Sequence, residues 1–423
     1  MKKIIYDGTE EAIYYEKLAN GLEVYMYPNN YAKNFYLTMN VKFGSVDVKF
    51  KLDGEKKFSD IPQGTAHFLE HLMFEGEDHS AFEDFADLGS SVNAYTSYDI
   101  TCYEVIASNH FKENLTTLVN FVQTPVFKSQ AISREKGIIR EEISMYDNNP
   151  SSRATFGFEY NFNIKDGHKY TISGAWDDIK NITSETLYRA YDIFYQPGNM
   201  FLVLTGKFKP LEALGILKEI ESKYQALPFK KIIRAREKEP LRVANDVEIN
   251  NMDVSIPKIK LGYKLAKGQF RDYNDTLIKI YLEAIMNCKF GSTSDTYERL
   301  TNENLVTYLD TVVDIRKDYI EILFSFESEY KDETISIIEE NMENLTISKE
   351  DLNRVSRVLK SNFIMNFDDI VGVCESVQDD VIYNGDIIKD VLDIYSKINL
   401  KDALDIISLI DLSCECIYIV DVK

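Results

Sequence analysis

The 423-residue chain is short of cysteine, with five, and of basic charge, with 48 Lys and Arg against 69 Asp and Glu. The cysteines, Cys102, Cys288, Cys374, Cys414 and Cys416, are odd in number and dispersed, the pattern of reduced thiols in a cytoplasmic protein. Cys414 and Cys416 share one face of a strand-like run, but no neighbouring Cys or His completes a metal site there. No run of 18 apolar residues occurs. The most apolar tail, Ala403 to Val420, is broken by Asp405, Asp411 and Glu415, so no membrane span is expected. Behind Lys2 and Lys3 there is no apolar segment, so no signal peptide is expected either. Neither Gly-x-Ser-x-Gly nor Gly-x-x-x-x-Gly-Lys is present, which removes the serine-nucleophile elbow and the phosphate loop. The formal net charge of -21 repels duplex DNA and anionic membrane, so neither is expected as a partner; cationic ligands are favoured.

What is present is a globular composition, 44% hydrophobic, over a length that suits two or three domains. Strand signals run over 22–27, 34–43, 92–106 and 199–206, and helical periodicity over 64–74, 111–122 and 129–146. Asn148-Asn149-Pro150 stops the last of these helices. Between Tyr224 and Asn251 the apolar pattern fades, while Lys230, Lys231, Arg234, Arg236, Lys238 and Arg242 gather around Pro228 and Pro240. This reads as a linker (229–250) joining a first lobe, 1–228, to a second, 251–423, its basic run solvated or, as the alternative, in contact with the acidic lobes. Phe68-Leu69-Glu70-His71-Leu72-Met73 lines up with Tyr281-Leu282-Glu283-Ala284-Ile285-Met286, a local sign of duplication. On that alignment Ile280 and Ala284 stand where the first lobe has His67 and His71. The fold expected is α+β: two homologous lobes, each an antiparallel-rich sheet packed against helices, with the second lobe lacking metal ligands.

The string that carries chemistry is His67-Phe68-Leu69-Glu70-His71. In a helix, residues three and four apart share a face, so His67, Glu70 and His71 converge. Two imidazoles at i and i+4 can hold one Zn²⁺, with the carboxylate between them placed for proton transfer. A third ligand is needed, and the helix at 129–146 offers Glu135 and Glu142, seven apart on one face, with Glu141 rotated away by about 100°. Composition alone does not select Glu142.

These strings, with Glu135-Lys136-Gly137-Ile138-Ile139-Arg140-Glu141-Glu142, resemble the inverted zinc-binding pattern of the M16 (pitrilysin/insulinase) metallopeptidases. Asn93 to Ser97, Phe194 to Met200 and Phe290 to Tyr308 add to the likeness, which is greatest for single-length bacterial, processing-peptidase-like members. The resemblance implies one Zn²⁺ per chain on His67, His71 and Glu142, with Glu70 as general base and Glu135 orienting a ligand. It further implies that Asn93, Ala94 and Tyr95 lie on an edge strand that takes the substrate as an added strand. Phe68 is a candidate for lining the pocket beside the scissile bond, with plain packing as the other reading. The gap from His71 to Glu142 is shorter than is usual in the family, and Glu141 is the alternative to Glu142 as third ligand.

One departure matters. The family presents an arginine and a tyrosine, seven residues apart, from the lobe without metal; here Tyr308 fits and Thr301 takes the arginine's place, with Arg299 on another helical face. The expectation is a zinc endopeptidase acting on cationic or leader-type peptides, in a chamber closed by a metal-free M16-like homologue. Such a heterodimer is favoured over a homodimer, which would hold two zinc sites and no complete clamp. The alternative is a non-proteolytic scaffold or a peptide-binding subunit. His79, His110 and His168 are expected on the surface or in loops.

Overall fold

The computed structural model describes residues 1–223 and 229–423, which divide into two compact units. The first comprises Met1–Ile143, Thr171–Arg236 and Ile364–Asp390; the second comprises Ser144–Tyr170, Glu237–Phe363 and Val391–Lys423.

The strands of the first unit are β1 (Lys2–Ile5), β2 (Ala12–Lys17), β3 (Glu23–Pro28), β4 (Phe35–Val41), β5 (Lys49–Leu52), β6 (Ser59–Asp60), β7 (Ser91–Thr96), β8 (Thr101–Ala107), β9 (Met200–Gly206) and β10 (Ile232–Arg234). Seven form one sheet in the order β1-β2-β3-β9-β4-β8-β7, and β10-β5-β6 form a small second one. β4 and β9 are buried at every position, because helices cover both faces of the sheet at its centre. On one face, α1 (Thr65–Met73) packs against β7 and β8. α2 (Ala81–Asp87) packs against β7, and α3 (Phe111–Gln123) against β8 and β4. Phe68, Leu69, Leu72, Phe85, Leu115 and Leu118 share that core with Leu37, Met39 and Val105. On the other face lies the helix Ile370–Asp379, whose Gln378 donates to Asn40 Oδ1 at 2.6 Å.

The second unit has β11 (Val247–Met252), β12 (Lys258–Ala266), β13 (Leu309–Ile315), β14 (Tyr319–Glu327) and β15 (Glu415–Val422), in the order β11-β15-β12-β14-β13. This repeats β3-β9-β4-β8-β7 strand for strand. The first pair is parallel and every later pair antiparallel in both sheets. The helix Asp275–Phe290 packs against β13 as α1 packs against β7. Ile280 and Ala284 are buried and apolar.

The units do not follow the sequential division at 228 and 251. After β8 come α3, α4 (Ser129–Asn148) and α5 (Pro150–Phe162), and the third of these, α5, packs on β12 and β15 of the second unit. After β14 come Lys331–Glu343, Lys349–Met365 and Ile370–Asp379, and again the third helix joins the other unit's sheet. Each sheet thus takes one covering helix from the other half of the chain. The linker reading also changes. Ile232–Arg234 pairs with β5, Arg234 Nε lies 2.9 Å from Asp47 Oδ1, and Arg236 Nη2 lies 3.0 Å from Asp99 Oδ1, so for these two cations the alternative, contact with acids, holds over plain solvation. Its start, Tyr224 to Pro228, lies outside the described residues. The stretch 92–106 is a hairpin, β7 and β8, and not a single strand.

α5 approaches its sheet closely. A Cβ on Gly157 would stand 2.1 Å from Tyr418 Cζ, and one on Gly262 2.4 Å from Phe158 Cζ. Gly157→Ala gains about 1 kcal/mol of helix propensity, but overpacking costs about 1–3 kcal/mol. Thermal unfolding of this variant is therefore expected at a lower temperature than the parent; an unchanged or raised midpoint would contradict the close approach.

Candidate metal centre

α1 is buried on nearly every side. Thr65 to Glu70, Leu72 and Met73 are all buried, and His71 alone is partly open. Packing, not solvent, therefore fixes the helix about its axis, and with it the directions of His67, Glu70 and His71. α4 is amphipathic, with Ala131, Ile132, Glu135 and Ile139 on its buried stripe. Continuing that stripe by three residues reaches Glu142, which is half-buried, whereas Glu141 is exposed.

The two helices bring three side chains together. His67 Nε2 lies 3.5 Å from Glu142 Oε1, and His71 Nε2 lies 3.8 Å from Glu142 Oε2. One ligand atom from each of His67, His71 and Glu142 lies within 4.8 Å of the others, the one such metal-capable group among the described residues. Tetrahedral ligands on a metal with bonds of about 2.0–2.1 Å stand about 3.3 Å apart, so these side chains need move little to share one divalent ion. The imidazole centroids are 4.4 Å apart. His71 Nδ1 lies 2.7 Å from Glu135 Oε1, an arrangement that places the proton on Nδ1 and leaves the Nε2 lone pair for a metal. His67 Nδ1 is buried with no hydrogen-bond partner among the described residues, so no polar contact at Nδ1 orients that ring.

Glu70 is buried within electrostatic reach of both imidazoles, and Thr96 Oγ1 donates to its Oε2 at 3.1 Å. Burial raises its pKa, outweighing the opposite pull of His67, His71 and the Thr96 hydroxyl. For His71, burial pulls the pKa down, but the hydrogen bond to Glu135 and the charges of Glu70, Glu135 and Glu142 outweigh it, and the net shift is upward.

The remaining candidates are spread out. β7 is the outer strand of its sheet, bonded to β8 on one side. Its side chains alternate, with Val92 and Ala94 packing on the core beside α1 while Asn93 and Tyr95 are exposed, Asn93 Nδ2 donating to Glu104 Oε1 at 3.2 Å. Asn93, Ala94 and Tyr95 therefore share a main-chain edge but not a face. Phe68 has no exposed surface and lies in the first unit's core, where it packs; the pocket-lining reading does not hold for it. Tyr308 precedes β13 in the second unit and is 41% exposed. Thr301 Oγ1 turns back to its own helix, donating to Tyr297 O at 2.8 Å, and Arg299 pairs with Glu303. His168, expected on the surface or in a loop, lies in the short 3-10 turn Gly167–Lys169 and is buried against Asp166, while His79 is exposed beside Asp84. The sequence reading missed the contact of Thr96 with Glu70; its signal was the two-residue spacing from Ala94, which puts both on the α1 side of β7.

A metal and a proton compete for His71 Nε2. Because the pKa of His71 is raised, metal uptake is expected to weaken as pH falls through that raised value. Glu135→Gln removes the main raising contact. It should weaken binding by about 10–100-fold and move the pH midpoint of uptake downward, as read by calorimetric titration of Zn²⁺ across acidic to neutral pH. His71→Ala should abolish stoichiometric uptake. An unmoved midpoint in the Gln variant would contradict the assigned role of Glu135.

Residues 58–160, which include the whole cluster, match the family described as insulinase (peptidase family M16), and residues 181–359 match the peptidase M16 inactive domain. A Bacillus subtilis protein named uncharacterized zinc protease YmfH is 34% identical over 328 residues, 77% of this chain and 73% of that one. A solved structure described as an M16-like peptidase from Alicyclobacillus acidocaldarius superposes with a TM-score of 0.92 at 25% identity, covering 99% of this chain and 100% of that one. A structure described as a peptidase M16 inactive domain, from Pseudomonas fluorescens, shares the fold at a TM-score of 0.77 and 14% identity over 97% of this chain and 98% of that one. With its duplicated sheets and its paired histidines on α1, the chain belongs to peptidase family M16.

Proposed function

We propose that the chain is a zinc endopeptidase that hydrolyses peptides or leader segments. The observation that carries this reading is the approach of His67 Nε2 and His71 Nε2 to the two Glu142 oxygens, at 3.5 and 3.8 Å, with Glu70 buried alongside. These residues would hold Zn²⁺, which when bound activates water near neutral pH and polarises a carbonyl. Glu70 accepts the proton as the peptide carbonyl is attacked and passes it to the leaving amine. Its raised pKa suits both halves of that task, since a carboxylate that is too acidic holds a proton poorly. Glu135 keeps the His71 ring in the tautomer that ligates. The outer edge of β7 accepts the peptide main chain as an added strand, beside Asn93, Ala94 and Tyr95, so conformation is recognised more than side-chain identity. The net charge of -21 favours cationic peptides. Five free cysteines suit a cytoplasmic setting.

Thr301 bears on the partner. Its hydroxyl is turned to Tyr297 O and Glu298 O, and the nearby Arg299 is engaged by Glu303, so this chain offers Tyr308 without the arginine that completes the family's clamp. A metal-free M16-like homologue supplying both groups, and closing a chamber, answers that gap. The same feature favours the second reading, a peptide-binding or scaffold subunit without turnover.

Glu70→Gln separates the two readings. It should retain zinc, because it alters a proton acceptor and not a ligand, and lower cleavage of a defined cationic peptide by at least about 100-fold. The assay is run with and without the co-expressed homologue. If the unmutated chain binds peptide but cleaves none in either state, the peptidase reading fails.

A further inference from the structure

Among the described residues, the Glu70 carboxylate has one hydrogen-bond donor, the hydroxyl of Thr96, 3.1 Å from Oε2. Oε1 accepts from none of them. Thr96 is itself firmly placed. Its backbone is opposite Thr101, whose hydroxyl donates to Phe43 O at 2.9 Å. Ser97 Oγ accepts from the backbone N–H groups of Asp99 and Ile100 at 3.3 and 3.1 Å, closing the turn that follows β7. Ser97 O in turn accepts from Ser45 N at 3.0 Å. The turn lies against Gly44 so closely that a Cβ there would be 2.1 Å from Tyr98 O. As a β-branched residue, Thr96 also has little freedom at χ1.

We propose that Thr96 is a positioning residue for Glu70, an inference that rests on the peptidase reading: its hydroxyl pins one carboxylate oxygen and leaves the other turned to the reacting proton. The terminal torsion of a glutamate is broad, so without a donor the carboxylate samples many orientations and only some of them meet the proton. A misplacement of about 1 Å costs on the order of 100-fold in rate. Thr96 is also the last residue of β7. The edge that receives the peptide main chain and the base that assists its hydrolysis are therefore joined through one side chain, and a peptide that steadies β7 steadies Glu70.

The test compares Thr96→Val, which keeps the shape and deletes the hydroxyl, with Thr96→Ser, which keeps the hydroxyl. Both are made in the zinc-loaded full chain with its homologous partner. The valine variant should lose about 10–100-fold in kcat, with KM changed less than about twofold, and with zinc content and melting temperature as in the parent. Serine should recover most of kcat. Crystal structures of parent and valine variant give a readout that does not depend on turnover, with Glu70 Oε2 fixed in the first and turned away or split in the second. An unchanged kcat in the valine variant overturns the proposal. So does a loss of zinc or of thermal stability that serine fails to rescue, since that marks a purely structural residue. If the parent cleaves nothing, the peptidase reading fails on its own account, and the orientation of Glu70 in the two crystals still decides the Thr96 contact.

Discussion

Everything at the centre of this molecule depends on holding two helices at a fixed spacing, so that imidazoles from α1 and a carboxylate from α4 face one another at under 4 Å. Such a cluster is unfavourable by itself: His67, Glu70 and Glu135 are buried, and burial penalises charge. The apolar side chains that surround α1 on almost all sides supply the opposing force, and the hydrogen bonds from His71 to Glu135 and from Thr96 to Glu70 keep the polar groups in register. A divalent ion would complete the balance by neutralising the two carboxylates nearest to it.

The architecture is duplicated, and among the described residues the metal-capable cluster lies in the first unit alone. Both sheets have the same five-strand order and the same orientations, and both have a helix laid on the outer hairpin. In the second unit that helix has Ile280 and Ala284, buried and apolar, and among the described residues that unit has no metal-capable cluster. Each half of the chain also gives its third post-hairpin helix to the other half's sheet, so each unit is built from segments of both halves.

Much of this could be read from the residues in order, and the exceptions have physical causes. α1 was legible because apolar periodicity and the His-x-x-Glu-His spacing agree in phase. Glu142 stands seven residues after Glu135, and the buried stripe of α4 separates it from Glu141. The β7–β8 hairpin was not legible, because its turn has neither Gly nor Pro and is made by the Ser97 hydroxyl instead. Asn149-Pro150 reads as the stop of α4, which it is; Pro150 also opens α5, with the Asn149 side chain accepting from Ser151 N and Ser152 N. The exchange of helices between units leaves no local trace, since a linear reading assigns a helix to its sequence neighbours. Nor can a charge run name its partner: Arg234 and Arg236 look solvated until Asp47 and Asp99 are seen beside them.

The central claim is a single zinc ion between α1 and α4, and X-ray absorption at the zinc edge of the loaded chain tests it most directly. The account predicts one zinc per chain with two imidazoles and oxygen donors at about 2.0–2.1 Å, and loss of that signature when Glu142 is replaced by alanine. Sulfur scattering at about 2.3 Å, or an unchanged spectrum in the Glu142→Ala chain, would contradict it.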